Sequence, residues 1–308
     1  MLRRSIGRLS PGGWRSRRGL VLLSLVVVAG FFLFYYVDRY VRLAPGPAQL
    51  TIARLEERVR QAPNNLGLRV QLAEAYATQR RYDEAVSQYQ AAIKLEEENP
   101  AAHLGLGNTY FTQKKYPQAK EAYQKVIDFY QDKPYRRSLR PLNDLYFNLA
   151  VMYEQEGSLE EAAASLEEAL AIDRVDADAL HRLGTVRLRQ SRPEDAATAC
   201  EQAVRFVPDF PSAYETLVSV YEQLGDRGRQ LYARGMLRYS QKDYPGAVGI
   251  LEQAVQALPD HEGAWVGLAM AYERNDQKEQ ALGAYRDAER LNADNLLIKW
   301  GIQRLSQP

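Results

Sequence analysis

Five segments of this chain superimpose without a gap: "LAEAYATQRRYDEAVSQYQAAI" from Leu72, "LGNTYFTQKKYPQAKEAYQKVI" from Leu106, "LAVMYEQEGSLEEAAASLEEAL" from Leu149, "LGTVRLRQSRPEDAATACEQAV" from Leu183 and "LAMAYERNDQKEQALGAYRDAE" from Leu268. A small residue follows the leading Leu at Ala73, Gly107, Ala150, Gly184 and Ala269. Twelve residues later stands Ala85, Ala119, Ala162, Ala196 and Ala281, and seven further comes Ala92, Val126, Ala169, Ala203 and Ala288. Internal periodicity of this kind means stacked units, none of which buries its apolar face alone.

The pattern resembles the tetratricopeptide repeat family, with 34 residues per helix-turn-helix unit, at repeat positions 7, 8, 11, 20, 24, 27 and 32; the likeness spans roughly residues 64–295. The resemblance implies an all-α, right-handed superhelix. Its chemistry is steric: the two antiparallel helices of a unit approach closest at positions 8 and 20, where Ala or Gly lets the backbones near each other. Tyr76, Tyr110, Tyr153, Tyr221 and Tyr272 fill the space beside them. Pro63, Pro208 and Pro259 stand at position 32, where second helices end.

Position-8 residues fall at Ala73, Gly107, Ala150, Gly184, Val218, Gly235 and Ala269, with spacings of 34, 43, 34, 34, 17 and 34. The 43 marks an insertion of nine residues within Asp128 to Asp144. The 17 is half a unit, because Pro211 to Leu224 and the segment from Arg227 both read as first helices. Arrays of this family usually close with a solitary first helix, so two blocks are expected, residues 49–226 and 227–308, joined at "LGDRG" and each ended by a capping helix; one array with a local distortion is the alternative.

Ahead of the repeats, Gly19 to Val37 gives 19 residues without a charge, a helix of about 28 Å, close to the hydrocarbon thickness of a bilayer. The run ends in "FFLFYYVDRY", where a signal peptidase would need small residues, so the segment is expected to stay as a single transmembrane anchor. Tyr35, Tyr36 and Tyr40 suit one interface and Trp14 the other. The tail 1–18 holds Arg3, Arg4, Arg8, Arg15, Arg17 and Arg18 and no acid, which by the positive-inside rule keeps it cytoplasmic and places the repeats outside. The expected location is a bacterial inner membrane; the Arg-rich, acid-free head also resembles a mitochondrial presequence, which leaves a mitochondrial membrane as the alternative. Residues 38–48, with "LAPGPA", read as a short stalk.

Residues 1–42 carry eight Arg against Asp38, leaving 32 basic and 38 acidic residues, net −6, in the remainder. A body of that charge does not wrap nucleic acid. The single Cys200 permits neither an internal disulfide nor a thiolate metal cage, and the register puts it on a buried face. His103, His181 and His261 fall in different units, so no metal centre, cofactor site or catalytic constellation is expected, and the chain reads as a non-enzyme.

In the family, first helices line the concave wall. The inward positions of units two to four are Leu104, Asn108, Phe111, Phe147, Asn148, Val151, His181, Thr185 and Leu188, an apolar wall with a few amides suited to a peptide or partner helix. The family's carboxylate clamp uses two Lys, two Asn and an Arg; Asn108, Asn148 and Arg182 stand in three of those places, but Leu104 and Asp178 replace the Lys, and an acid there repels a carboxylate. The insertion, 131–142, offers Lys133, Arg136, Arg137 and Arg140 as contacts for an anionic partner or for lipid headgroups, though a charged surface loop needs no such purpose. The expected function is a membrane-anchored scaffold recruiting or assembling a protein partner in the groove, with self-association possible. The rival is a permanent accessory subunit with its wall already filled.

Overall fold

The computed structural model describes residues 26–34 and 46–307, and all regular structure in them is helical. Residues 26–34 form a helix whose apolar side chains, Val26 and Phe31 to Phe34 among them, are exposed. The rest of the expected anchor, 19–25 and 35–37, lies outside the described residues, as do the basic tail and most of the stalk. No helix among the described residues is long and apolar enough to cross a membrane.

From residue 47 the helices are α1 Pro47–Gln61, α2 Leu66–Thr78, α3 Tyr82–Leu95, α4 Pro100–Thr112, α5 Tyr116–Tyr130, α6 Arg140–Glu156, α7 Leu159–Ile172, α8 Ala177–Arg189, α9 Pro193–Phe206, α10 Pro211–Gln223, α11 Arg227–Ser240, α12 Tyr244–Ala257, α13 Glu262–Arg274, α14 Lys278–Leu291 and α15 Leu296–Leu305. Two compact units are present, Met1–Gly105 and Leu106–Pro308, the division falling inside α4. In the first, α2 packs on both α1 and α3; in the second, α6 pairs with α7, α8 with α9, α11 with α12 and α13 with α14.

The crossings form where small residues recur. Ala73 and Ala85, Ala150 and Ala162, and Ala269 and Ala281 expose no surface. Where position 8 is glycine, the space of a methyl group is already taken: a Cβ on Gly107 would lie 2.5 Å from the Tyr123 ring, one on Gly235 would lie 2.5 Å from Leu251, and one on Gly184 would overlap Cys200 Sγ. A second use of glycine joins successive units. Gly105 lies under the Tyr89 ring and Gly301 under Tyr285, where an added Cβ would come within 2.6 Å. Burial pushes the Cys200 thiol up to about 12, so it behaves as a small apolar group.

Each first helix passes to the next helix through one repeated turn. Arg80, Lys114, Gly157, Ser191, Gly225, Lys242 and Asp276 stand at the same place after the position-8 residue, and all are left-handed, with φ between 58° and 79°. The following N–H closes the turn onto the carbonyl five residues back, as from Arg81 to Tyr76 at 2.9 Å and from Asp226 to Tyr221 at 3.0 Å. Five of these seven residues carry a side chain where a left-handed backbone costs about 1–2 kcal/mol, partly offset by the extra chain entropy glycine brings to the unfolded state. Ser191→Gly is therefore expected to raise the urea midpoint, by about 0.5–1 kcal/mol of stability; a lower midpoint would contradict the strain.

The turn at Gly225 explains the half unit. It is the turn that elsewhere leads from a first to a second helix, so α11 follows α10 in the second-helix manner while also serving as the first helix for α12, through Gly235 on Leu251. Arg229 of α11 lies over the Tyr221 ring of α10, 5.2 Å from its centroid, and Tyr232 meets Tyr214 edge-on. One hydrophobic cluster runs from Ala196 to Ile298 across "LGDRG".

Residues twenty apart lock neighbouring layers. The Tyr76 hydroxyl donates to Glu56 Oε1 at 2.6 Å and Tyr272 to Glu252 Oε1 at 2.6 Å; Tyr221 donates to Glu201, and Arg187 reaches Glu167 in the same register. Helix starts are capped by Asn65, Asp176 and Asn295, and at α13 by His261, whose Nδ1 accepts from the Ala264 N–H at 2.9 Å. That cap needs a neutral ring, and burial holds the His261 imidazole below its ordinary value. The unfolded state then binds the proton more readily, so this stabilisation is complete above the unfolded value near 6.5 and is lost as pH falls below it. His261→Asn keeps a capping acceptor and is expected to make stability between pH 7 and 5 less acid-sensitive in a urea titration; an unchanged pH slope would refute the assignment.

Candidate partner-binding groove

The first helices α6, α8 and α10 set the inner wall of the second unit. Phe147, Asp178, His181, Arg182 and Thr185 enclose a pocket of about 180 Å³. An adjoining hollow of about 420 Å³ is lined by His181, Thr185, Leu188 and Arg189 on one side and by residues of α10, Thr216 among them, on the other. Four sequence-predicted residues, Phe147, His181, Thr185 and Leu188, are thus brought together on one continuous surface.

Its geometry is held by contacts among these side chains and their neighbours. His181 Nε2 lies 3.1 Å from Thr216 Oγ1, and its ring meets Phe210 edge-on at 5.1 Å. Burial, then the Arg182 charge, holds His181 below its ordinary value, so the ring is neutral at pH 7. Arg182 stacks 5.0 Å from the Phe147 centroid and donates to Glu154 at 2.9 Å; Glu154 also accepts from Arg189 at 3.4 Å. Thr185 Oγ1 donates back to the Arg182 carbonyl at 2.7 Å.

The remaining predicted residues are differently placed. Asn108 and Asn148 serve one buried tyrosine: Tyr123 Oη donates to Asn108 Oδ1 at 2.6 Å and accepts from Asn148 Nδ2 at 3.1 Å. With Arg182 already paired to Glu154, all three clamp-like side chains are engaged within the fold. Phe111 is half-buried against Tyr116, ring centroids 6.0 Å apart, and Val151 is half-buried. Leu104 is half-buried in the first unit. In the insertion, Arg136 donates to Glu168 at 2.7 Å and Lys133 lies 5.6 Å from the Phe129 centroid, whereas Arg137 and Arg140 are exposed.

One feature went unread in the sequence. Tyr239, Met270, Arg274, Leu297 and Trp300, with the Glu273–Arg304 pair, line a hollow of about 420 Å³ across α11, α13 and α15. Trp300 is 63% exposed although it belongs to the terminal helix of the stack. Extending the inward positions past the fourth unit picks out Tyr239, Met270, Leu297 and Trp300, so the signal was present. Among the described residues no group of three or more His, Cys, Asp or Glu is placed to hold a metal ion.

The family model for the cilia and flagella-associated protein 70 C-terminal domain, itself of tetratricopeptide type, matches residues 41–242, and a tetratricopeptide repeat model matches residues 238–299. The chain belongs to this family of tetratricopeptide-repeat domains. Among solved structures, YrrB, described as a TPR protein with an unusual peptide-binding site, is 17% identical, covering 68% of this chain and 95% of its own, with a TM-score of 0.50. MamA is 23% identical, covering 60% and 97%, at 0.47, and pilF of Pseudomonas aeruginosa is 16% identical, covering 78% and 97%, at 0.42. The likeness to YrrB is one of fold. No curated protein matches in sequence. Tetratricopeptide arrays are scaffolds for protein–protein interaction, working through the extended concave surfaces that stacked units create.

Proposed function

We propose that the chain is a membrane-tethered tetratricopeptide scaffold that recruits a protein partner through the wall formed by Phe147, His181, Thr185 and Leu188. The observation that carries this reading is that these side chains remain partly exposed around adjoining hollows after the repeat packing has taken its own residues. A peptide or helix laid along the wall covers apolar surface, at about 1.5–3 kcal/mol for each fully buried large side chain. The uncharged run 19–37 behind an Arg-rich tail supports a single-pass anchor with the tail cytoplasmic and the array on the opposite side, in a bacterial inner membrane or, alternatively, a mitochondrial one. A tether confines encounters to the bilayer surface and raises the effective concentration of a membrane-bound partner.

The test is site-specific photo-crosslinking of the full chain in its native membrane. A crosslinker at Thr185 is expected to capture one partner that a crosslinker at Gly249, exposed with open space around it, does not. Equal capture at both places, or none at Thr185, would remove the groove from consideration.

A further inference from the structure

The insertion that breaks the 34-residue period is held as a folded turn. After α5 ends, Tyr135 meets Tyr130 edge-on at 6.5 Å, Tyr130 in turn meets Phe129 at 4.9 Å, and Lys133 lies over the Phe129 ring. Residues Arg136–Ser138 make a single 3₁₀ turn, closed by the Leu139 N–H on the Arg136 carbonyl at 3.2 Å. Arg136 fastens this turn to α7 through Glu168, which also neutralises that guanidinium. Lys133, Arg137 and Arg140 are left exposed, with no ion pair among the described residues, around a Tyr135 that is 50% exposed. Asp132 is the one acid in 131–142, in a body that is otherwise net negative.

We propose that residues 131–142 form a second membrane contact, selective for anionic phospholipid. The proposal rests on the membrane attachment inferred above, which supplies the bilayer. A turn present only to stay solvated has no need of an aromatic base and an ion pair to hold its shape. An acidic protein partner is best recognised by preorganised, partly desolvated arginines, yet the half-buried arginine here is engaged internally. The outward cations instead suit a diffuse layer of headgroup phosphates, and an amphipathic phenol beside them suits the interfacial zone.

Ser138→Cys puts one accessible thiol on the turn, Cys200 being buried. The full chain, spin-labelled there, is reconstituted into vesicles of phosphatidylcholine alone or mixed with phosphatidylglycerol, and the label's relaxation by oxygen and by a water-soluble nickel complex is compared. The expected result is a label at the interface in the mixed vesicles and in water in the neutral ones. Lys133→Gln, Arg137→Gln and Arg140→Gln together should lower the bound-to-free ratio of the turn roughly a hundredfold. High salt should act in the same direction, and free inorganic phosphate should displace the turn no more than sodium chloride at the same ionic strength does. A label in water in both lipids, or equally interfacial in both, overturns the proposal; displacement by free phosphate beyond that of sodium chloride would show an ion site, and displacement by an acidic protein a protein-docking site, and either outcome overturns it too. Failure of the chain to float with neutral vesicles would reject the anchor, while the mixed vesicles would still report on the turn.

Discussion

Gly184→Leu is expected to destabilise the second unit by about 3 kcal/mol, the upper end of what overpacking costs, and to lower its melting temperature by about 10 °C. The first atom beyond Cα already has nowhere to go: it overlaps Cys200 Sγ and comes within 3.1 Å of the Ala196 carbonyl. Both obstacles sit on α9, so relief requires the closest crossing of the α8–α9 pair to open. The sharper form uses alanine. In a helix with free space Gly→Ala stabilises by about 1 kcal/mol. Here Gly184→Ala should destabilise, and Cys200→Ala alone should also destabilise, by leaving a small void. The double substitution should recover much of both losses, because the methyl group added on one helix fills the volume removed from the other. Strict additivity in thermal melts would mean that these two residues do not share the space assigned to them.

The parts of the fold legible in the sequence are those set by volume. Ala73 and Ala85 are fully buried at a helix crossing and Gly184 has no room for a Cβ, so the small volume is written into composition at fixed spacing. The half unit at Val218 shows where that reading ends: the spacing of 17 implies a missing helix, but it does not reveal that α11 answers to α10 on one side and to α12 on the other. Hydrogen-bond partners were less legible still. Asn108 and Asn148 fall at inward positions, and nothing in their spacing shows that both converge on the hydroxyl of Tyr123, buried between them. The links of Tyr76 to Glu56 and of Tyr272 to Glu252 repeat at a separation of twenty and could have been found by asking which polar pairs recur. The Trp300 hollow lies at inward positions of the last helices, beyond the second to fourth units from which the expected groove is built.

Phe147→Asp is the substitution expected to separate binding from folding. The ring is half-buried, carries the Arg182 guanidinium on one face and packs against the cluster of Ala150, Ala162 and Leu166. A carboxylate in its place loses that packing but gains a guanidinium beside it, so the predicted cost is about 1–3 kcal/mol with helical content retained. Partner capture at Thr185 should fall tenfold or more, since a partner side chain that met a ring now meets a charge that must be desolvated. Phe111→Asp serves as the comparison. That ring leans on Tyr116 of its own pair and lies outside both hollows, so capture should fall less. Circular dichroism melts and crosslinking yields, measured on the same two proteins, decide the matter. Normal capture by Phe147→Asp would take the ring out of the binding surface. Collapse of its cooperative melt would place the ring in the core, and the inner wall would then be a seam of the repeat stack with no room for a partner.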